Sequence, residues 1–274
     1  MERKKFSVAM CVYGGDSADW FRAAAKSILN QTVPPDEVVL VVDGPVPDEL
    51  RAVIGSFKNE LKIIWLSENQ GHGNARRESL RHCTHELVAL MDADDLSLPD
   101  RFEKQLEKFA KEPELDIVGG NIAEFIDSPE NIVGKRLVPQ QDADIKTYMK
   151  TRCPMNQVTV MLRKQSLEQA GGYIDWYCEE DYYLWLRMYL QGMRFANLPD
   201  TLVHVRVGKE MYSRRGGLKY FRSEAKLQNY MLRNRMIGFG TYLGNIAKRL
   251  IVQVLLPNRV RSWVFHKFAR ETDT

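Results

Sequence analysis

Short runs of apolar residues alternate with amphipathic stretches through the first half of the chain. The runs are too short for helices and each predicts a buried strand, whereas the stretches between them repeat their apolar residues at helical spacing. Strands joined by helices of this length favour right-handed crossovers and a parallel α/β sheet. Strands are predicted at Phe6–Tyr13, Glu37–Val42, Leu61–Leu66, 86–91 and Asp116–Ile126, and helices at Ser17–Asn30, Pro47–Lys58, Asn74–His82 and Pro99–Lys111.

The fourth predicted strand ends in the carboxylates Asp92, Asp94 and Asp95. Asp92 and Asp94 are two residues apart, so their side chains leave an extended chain on the same side. Such a pair suits Mg²⁺ or Mn²⁺, because these ions keep few protein ligands and share the rest with substrate phosphates and water. The alternative is an acidic surface turn in which Asp94 or Asp95 caps the next helix.

Two more predicted strands end beside a glycine, at Tyr13-Gly14 and at Asp43-Gly44. In one parallel sheet these ends share an edge with Asp92, where ligands bind and glycine permits close approach to the backbone. A simple turn also explains Asp43-Gly44 taken alone. The segment 69–76 between a strand and a helix lacks the third glycine of a dinucleotide fingerprint and the Gly-Lys-Ser/Thr of a Walker motif. It could still face a diphosphate, with Arg76 nearby.

A second acidic run, Glu179-Glu180-Asp181, precedes apolar residues at helical spacing and therefore lies at a predicted helix N-terminus. Favourable placement of acids on the helix dipole is one explanation. The other is functional: adjacent carboxylates raise one another's pKa, which suits a general base.

The charge of the chain is unevenly distributed. The 274 residues carry a net charge of +3, but the segment from Val205 onward holds 15 Lys and Arg against 4 Asp and Glu. An acidic body with a basic end predicts an anionic partner such as phospholipid, and no recognised motif supports nucleic acid. The four cysteines show no metal-type spacing and are expected to be reduced, and no apolar run is long enough to span a bilayer.

Taken in order, the motifs resemble those of family-2 glycosyltransferases, which are inverting enzymes with the GT-A fold. The resemblance covers roughly residues 5–208. The whole chain is similar to the small bacterial enzymes of capsule, exopolysaccharide and lipopolysaccharide clusters. The matching segments are Val12-Tyr13, Val42-Asp43-Gly44, Asn69-x-Gly71-x-x-x-Ala75-Arg76, Met91-Asp92-Ala93-Asp94-Asp95 and Glu180-Asp181-Tyr182-x-Leu184-Trp185-x-x-Arg187.

On the donor side, the resemblance implies that Tyr13 and Asp43 hold the nucleoside of a nucleotide sugar, most simply a UDP-sugar. Asp92 would contact the ribose or a metal-bound water, and Asp94 would ligate Mn²⁺ or Mg²⁺ on the diphosphate. Arg76 would assist near the nucleotide. One departure is that Tyr13 is followed by glycine where relatives have asparagine, which leaves one nucleoside contact unassigned.

On the acceptor side, the resemblance implies Asp181 as the base, with Glu180 as second choice, and a saccharide acceptor that is lipid-linked, through a polyprenyl diphosphate. Asn156 is a candidate sugar contact, with a turn or cap role equally open. Trp176 could stack on a sugar ring or simply pack. His204 is not secured as a metal ligand, because Val and Gly follow Arg206 where relatives place a histidine.

The implied organisation is a GT-A catalytic domain at 1–208, divided into a nucleotide-sugar half (1–126) and an acceptor half (127–208), with an extension at 209–274. The extension combines a basic loop at 211–217, an apolar helical stripe and, after Pro257, interleaved basic and aromatic residues. These features predict either an anionic membrane contact or a helix packed on the domain. A cytoplasmic protein, peripheral at the membrane, is the expectation.

Two other functions remain open at this stage. A sugar-nucleotide pyrophosphorylase would need a Gly-rich basic loop after the first strand, and the residues after Tyr13 carry no such charge. A non-catalytic sugar-binding protein would not need both Asp94 and Asp181. A processive synthase is disfavoured, because the chain has neither membrane spans nor a Gln-x-x-Arg-Trp motif.

Overall fold

The computed structural model describes residues 3–208 and 216–256, which form a nine-stranded sheet with helices on both faces. The strands are β1 Phe6–Tyr13, β2 Glu37–Asp43, β3 Lys62–Trp65, β4 Leu87–Asp92, β5 Leu96–Ser97, β6 Ile117–Phe125, β7 Ile132–Arg136, β8 Met161–Arg163 and β9 Phe195–Arg206. The helices are α1 Ala18–Leu29, α2 Asp48–Ser56, α3 His72–His82, α4 Arg101–Lys111, α5 Asp142–Tyr148, α6 Lys164–Gln169, α7 Glu180–Leu190, α8 Leu218–Arg233 and α9 Phe239–Arg249.

The strand order is β3-β2-β1-β4-β8-β6-β9-β5, with β7 paired to β6. The four strands β3, β2, β1 and β4 are parallel, as the alternating pattern predicts. The rest of the sheet is mixed, because β8 runs antiparallel between β4 and β6, while β6 and β9 are parallel. The segments 1–126 and 127–208 thus contribute strands to one sheet.

The sheet is buried on both faces. On one face, α1, α2 and α4 place Phe21, Leu50 and Phe102 against β1 and its neighbours. On the other face, α7 contributes Leu184 and Trp185. All five side chains are at most 1% exposed, and burying an apolar side chain of this size stabilises the fold by about 1.5–3 kcal/mol. Central strands covered on both faces are continuously apolar, which is why the pattern revealed them.

The predicted element positions in the first half are confirmed within a few residues. Ser17 caps α1 by accepting from the Trp20 N–H, and α3 begins at His72, two residues before the predicted start. The 12-residue strand β9 was not predicted. It contains Pro199 and pairs with β6 through two register shifts, so it lacks regular alternation.

The C-terminal helices α8 and α9, followed by a π-helical turn at Leu250–Leu255, pack beside α7. The predicted basic loop at 211–217 lies outside the described residues except for Gly216 and Gly217, and so does the basic and aromatic segment after Pro257. In the parts of the chain that are described, no helix combines the length and hydrophobicity needed to cross a membrane. The described cysteines are free thiols.

Candidate active site

The polar ends of β1, β2 and β4 lie side by side at one edge of the sheet. Tyr13 is in register with Asp43, and Cys11, two residues before Tyr13, is in register with Asp92. The carboxyl ends of parallel strands form the crevice in which such sheets bind ligands. The predicted convergence of the three strand ends is therefore present.

Asp43 is buried and organises the segment before α3. Its carboxylate accepts hydrogen bonds from the backbone N–H groups of Gln70 (2.7 Å) and Gly71 (3.1 Å). Gly44, at φ +84°, passes so close to Asn69 that a Cβ would lie 2.6 Å from its nitrogen. Asp43 thus holds the 69–71 backbone, and its predicted contact with the nucleoside stays a prediction.

Arg76, on α3, bridges the two acidic runs of the sequence. Its guanidinium lies 2.6 Å from Asp92 and 3.4 Å from Glu180. Burial works to lower the pKa of Arg76, but Asp92 and Tyr173 outweigh it, so the pKa is raised and the group stays charged. Burial works to raise the pKa of Asp92, and Arg76 overcomes this and lowers it. Residues far apart in sequence therefore meet around one buried cation.

Asp94 and Asp95 follow Asp92 in different environments. Burial, together with Asp92 and Asp16, raises the pKa of Asp94 to about 6. Asp95 is buried and accepts a hydrogen bond from the Arg206 N–H (2.8 Å). The Arg206 guanidinium lies between Trp20 and Phe125, 4.7 and 4.6 Å from the ring centroids. The alternative of a solvated acidic turn does not fit Asp95, which is buried, whereas Asp94 lies in a turn and is partly exposed.

The same carboxylates bear on the predicted metal. Within residues 3–208 and 216–256, no group of three or more His, Cys, Asp or Glu side chains is arranged to hold an ion. The predicted donors, Asp92 and Asp94, are hard oxygen ligands of the kind that fit Mg²⁺ or Mn²⁺ when a substrate diphosphate supplies the remaining ligands, and their role as metal ligands stays a prediction. Burial is the largest cause of the raised pKa of Asp94, and the neighbouring charges of Asp92 and Asp16 add to it; a divalent cation would neutralise that crowded negative charge.

Glu180 and Asp181 form the first turn of α7, as predicted. Burial and then Asp181 raise the pKa of Glu180, against the opposing effect of Arg76. His72 lies 4.0 Å from Glu180. The charge of Arg76, together with burial, lowers the pKa of His72. The preceding Glu179 is 5% exposed and faces away from the crevice, toward Glu224 and Tyr220 of α8.

The two predicted acceptor residues are already engaged by the protein. Asn156 is buried, and its amide nitrogen donates to the Gly120 and Arg136 carbonyls at 2.8 and 3.3 Å. Trp176 packs against Tyr183, at 4.4 Å between ring centroids, and beneath the Lys226 ammonium, also at 4.4 Å. The Trp176 contacts agree with its alternative role in packing. The Asn156 side chain instead links β6 to the end of β7 and makes no cap hydrogen bond, and a sugar contact from either residue stays a prediction.

Three residues near the site were missed from sequence. Nothing in the sequence around Arg206 indicates a place at the site, beyond its position after an apolar strand. Glu224 lies in an ordinary helical pattern. The sequence indicates a role for Tyr173 only weakly. Gly171-Gly172 indicates a turn, and the aromatic residue that directly follows the turn enters the core. His204 lies on β9 opposite Leu96, beside the Phe125 ring.

The comparisons with known proteins agree with this geometry. The family model for glycosyl transferase family 2 matches residues 7–170. An uncharacterized glycosyltransferase of Haemophilus influenzae is 39% identical over 97% of this chain and 100% of its own length. The UDP-Gal:alpha-D-GlcNAc-diphosphoundecaprenol beta-1,3-galactosyltransferase of Escherichia coli is 37% identical over 97% of each chain. An amylovoran biosynthesis glycosyltransferase of Erwinia amylovora is 38% identical over 96% of this chain and 98% of its own.

Solved structures share the fold at low sequence identity. TarS residues 1–349 of S. aureus, in complex with UDP-GlcNAc, aligns with a TM-score of 0.66 at 19% identity, covering 90% of this chain and 72% of that one. A mannosyltransferase of Pyrobaculum calidifontis, in complex with GDP-Man and Mn²⁺, gives 0.64 at 17% identity, covering 97% and 82%. The fold is thus GT-A, as the sequence predicts. With the acidic crevice, the family model and close relatives in agreement, this chain belongs to glycosyl transferase family 2 and is a glycosyltransferase.

Proposed function

We propose that this glycosyltransferase moves one sugar from a UDP-sugar to a lipid-linked saccharide during the synthesis of a bacterial surface polysaccharide, by a single inverting displacement. The observation that carries the proposal is the Asp92–Arg76–Glu180 chain of ion pairs. It fixes the donor-side carboxylates of β4 close to the acidic first turn of α7. A transfer reaction needs this proximity, because the leaving group and the attacking hydroxyl meet at one anomeric carbon.

The donor side has to accommodate a diphosphate that gains charge as it leaves. Asp94, with Asp92, would hold Mn²⁺ or Mg²⁺, which when bound supplies Lewis-acid stabilisation of that charge. Tyr13 and Asp43 lie at the ends of β1 and β2, where they would hold the nucleoside. Arg76 keeps Asp92 ionised and in place, so its role is positioning as well as electrostatic.

The acceptor side requires removal of a proton from the attacking hydroxyl. Asp181 lies in the first turn of α7 and is partly exposed, so it can reach a substrate. Glu180 is held by Arg76, which makes it the less available base. Asp181 would take the proton as the new glycosidic bond forms and the bond to the diphosphate breaks.

The donor and acceptor classes are supported by relatives. The Escherichia coli enzyme, 37% identical over almost the whole chain, is named for UDP-Gal and a diphosphoundecaprenol-linked GlcNAc. A UDP-sugar donor and a polyprenyl-diphosphate-linked saccharide are therefore the proposed substrates here.

A lipid-linked acceptor would reach the enzyme at a membrane, and α9 with its π-helical turn has an unusual face. Its buried residues are polar, Asn245 and Gln253, whereas Phe239 and Leu255 are each 65% exposed and Ile251 is 50% exposed. Lys248 is exposed on the same helix, and the exposed Arg233 and Arg235 precede it in the chain. An amphipathic helix with its apolar side outward and cations beside it fits an anionic bilayer surface, which we propose as its partner.

The enzymatic proposal is tested by incubating the protein with a panel of nucleotide sugars, Mn²⁺ and a polyprenyl-diphosphate-linked GlcNAc acceptor. Transfer from a UDP-sugar is expected. Replacing Asp94 by Ala should abolish metal-dependent donor binding in calorimetry, and Glu103→Ala on α4 is the control. Undiminished nucleotide affinity in the Asp94 variant, or transfer only from donors without UDP, would contradict the assignment.

The membrane proposal is tested by sedimentation with vesicles of phosphatidylglycerol and of phosphatidylcholine. Binding to the anionic vesicles is expected, weakened by high salt and by Phe239→Ser with Leu243→Ser. The matched control is Trp65→Ser, an exposed aromatic residue on the far side of the sheet order. Equal binding to both lipids, or a dimer that the double substitution dissociates, would refute it.

A further inference from the structure

Tyr173 carries a buried hydroxyl that the fold does not use. Its side chain is 1% exposed and packs in the apolar cluster with Tyr182 and Trp185. Within the described residues, the Tyr173 hydroxyl has no hydrogen-bond partner. Buried hydroxyls are normally paired, because removing one from water without a new bond costs free energy. Phenylalanine would fill the same space without this cost, so the hydroxyl calls for an explanation.

The backbone around Tyr173 is held firmly against α3. Gly171 and Gly172 adopt φ of +82° and +63°, and the Arg187 guanidinium donates to the Gly172 carbonyl at 2.6 Å. Two residues later, the Asp175 Cα lies 3.5 Å from where a side chain on Gly73 would begin. Gly73 is three residues before Arg76 on the same helix, so the segment from Gly171 to Asp175 lies against the helix that carries Arg76.

The charged groups of the site act electrostatically on the phenol. Burial raises the pKa of Tyr173, and Arg76 opposes this while Asp181, Glu180 and Asp92 reinforce it. The phenol therefore keeps its proton at neutral pH and can act as a hydrogen-bond donor. A phosphate would be repelled by three carboxylates at this point. A neutral, oxygen-rich group would not be repelled, and a sugar hydroxyl has that chemistry.

Two other buried groups show what is particular to Tyr173. The hydroxyl of Tyr182, also fully buried, donates to the Met149 carbonyl and thus serves the fold. The Trp185 indole nitrogen, like the Tyr173 hydroxyl, lacks a partner among the described residues. The Tyr173 hydroxyl adds to its missing partner an electrostatic interaction with Arg76 and with the proposed base, Asp181.

We propose that the Tyr173 hydroxyl binds substrate, donating its hydrogen to a sugar oxygen that lies between Arg76 and Asp181. The inference rests on the proposed function, since it needs a sugar in this crevice. The sugar belongs either to the donor or to the acceptor, and both present the same hydroxyl chemistry. Tyr173 would thereby help to orient the anomeric carbon or the attacking hydroxyl.

The test is Tyr173→Phe, which deletes one oxygen and keeps the ring. Because the unpartnered hydroxyl is removed, the melting temperature should stay the same or rise, while kcat/KM for transfer should fall about tenfold, the value of one lost hydrogen bond. Tyr182→Phe is the matched control and should lower the melting temperature instead. A purely structural Tyr173 predicts no loss of activity.

Two assays separate the sources of the sugar. If Tyr173 binds the donor sugar, hydrolysis of the nucleotide sugar without acceptor should fall as much as transfer. If it binds the acceptor, hydrolysis should be unchanged and the acceptor KM should rise. Either result supports the inference. Two results would overturn the inference. One is full activity in both assays, and the other is a fall in kcat alone with a shifted pH profile, which would indicate an action through Asp181. The assays use whichever nucleotide sugar the wild-type protein hydrolyses, so an error in the UDP assignment leaves the result readable.

Discussion

Two acidic triplets, one at the end of a strand and one at the start of a helix, look alike in sequence but divide their tasks by position. We define the first triplet as Asp92, Asp94 and Asp95, and the second as Glu179, Glu180 and Asp181. In each triplet, one carboxylate is buried within the fold, one is paired to Arg76, and one is partly exposed toward the crevice.

The buried members differ in how the protein compensates them. Asp95 accepts from the Arg206 backbone, a bond that joins the end of β4 to the end of β9. Glu179 accepts from Tyr220 but also faces Glu224, whose carboxylate is paired with Arg249 at 2.8 Å. Burial, with help from Glu224, raises the pKa of Glu179 well above its usual range. The second triplet is thus tied to the C-terminal helices, and the first is tied to the sheet.

The comparison teaches that a run of acids does not reveal which member meets the substrate. Asp92 is the last residue of β4 and Asp94 lies in the turn that follows, whereas Glu180 and Asp181 lie in the first turn of α7 and Glu179 directly precedes it. The backbone conformation therefore decides which carboxylates can act together, and three predictions test this division.

The largest expected effect distinguishes Asp181 from Glu180, the two members of the second triplet other than the buried Glu179. Asp181→Asn should lower kcat about 10²–10⁴-fold while donor affinity is kept, because the base is lost without a change of shape. Glu180→Gln should lose much less catalysis, since its main contact is with Arg76. Steady-state kinetics with donor titration measures both. The reverse order of the two losses would transfer the role of base to Glu180.

A smaller effect concerns the cation shared by the triplets. Arg76→Met keeps a side chain of similar length but leaves Asp92 and Glu180 unpaired. The free energy of unfolding should therefore fall by about 2 kcal/mol. This is less than the loss expected for a fully buried pair, because Asp92 is partly exposed. Urea titration measures this. Arg77→Met, at an exposed position one residue along, is the control and should stay within about 0.5 kcal/mol of wild type. Similar losses in both variants would show that Arg76 is not a bridge.

The smallest effect concerns Glu179 and depends on pH. Its folded pKa is raised, so the folded state keeps a proton that the unfolded state releases above about pH 4.5, and stability is lost as pH rises through that range. Glu179→Gln removes this dependence while preserving the shape. The variant should match wild type near pH 4 and be more stable than wild type at pH 8. A constant difference in urea midpoint across that range would argue against the raised pKa.

The first half of the fold could be predicted because buried parallel strands are apolar throughout and the helices between them are amphipathic. Ser17 as the α1 cap and the shared edge of Tyr13, Asp43 and Asp92 follow from the same rules. The mixed half could not be predicted as well. β8 has three residues and β9 is interrupted at Pro199, so neither gives a periodic signal, and their pairing is set by distant partners.

The sequence by itself determined the family, the parallel half of the sheet and the candidate carboxylates, because these depend on local periodicity and on short motifs. Tertiary structure alone decided which carboxylates are buried, that Arg76 joins Asp92 to Glu180, that the Tyr173 hydroxyl lacks a partner among the described residues, and that α9 turns its apolar side outward. Burial and charge pairing depend on residues separated by more than a hundred positions in the chain, and only folding brings those residues together.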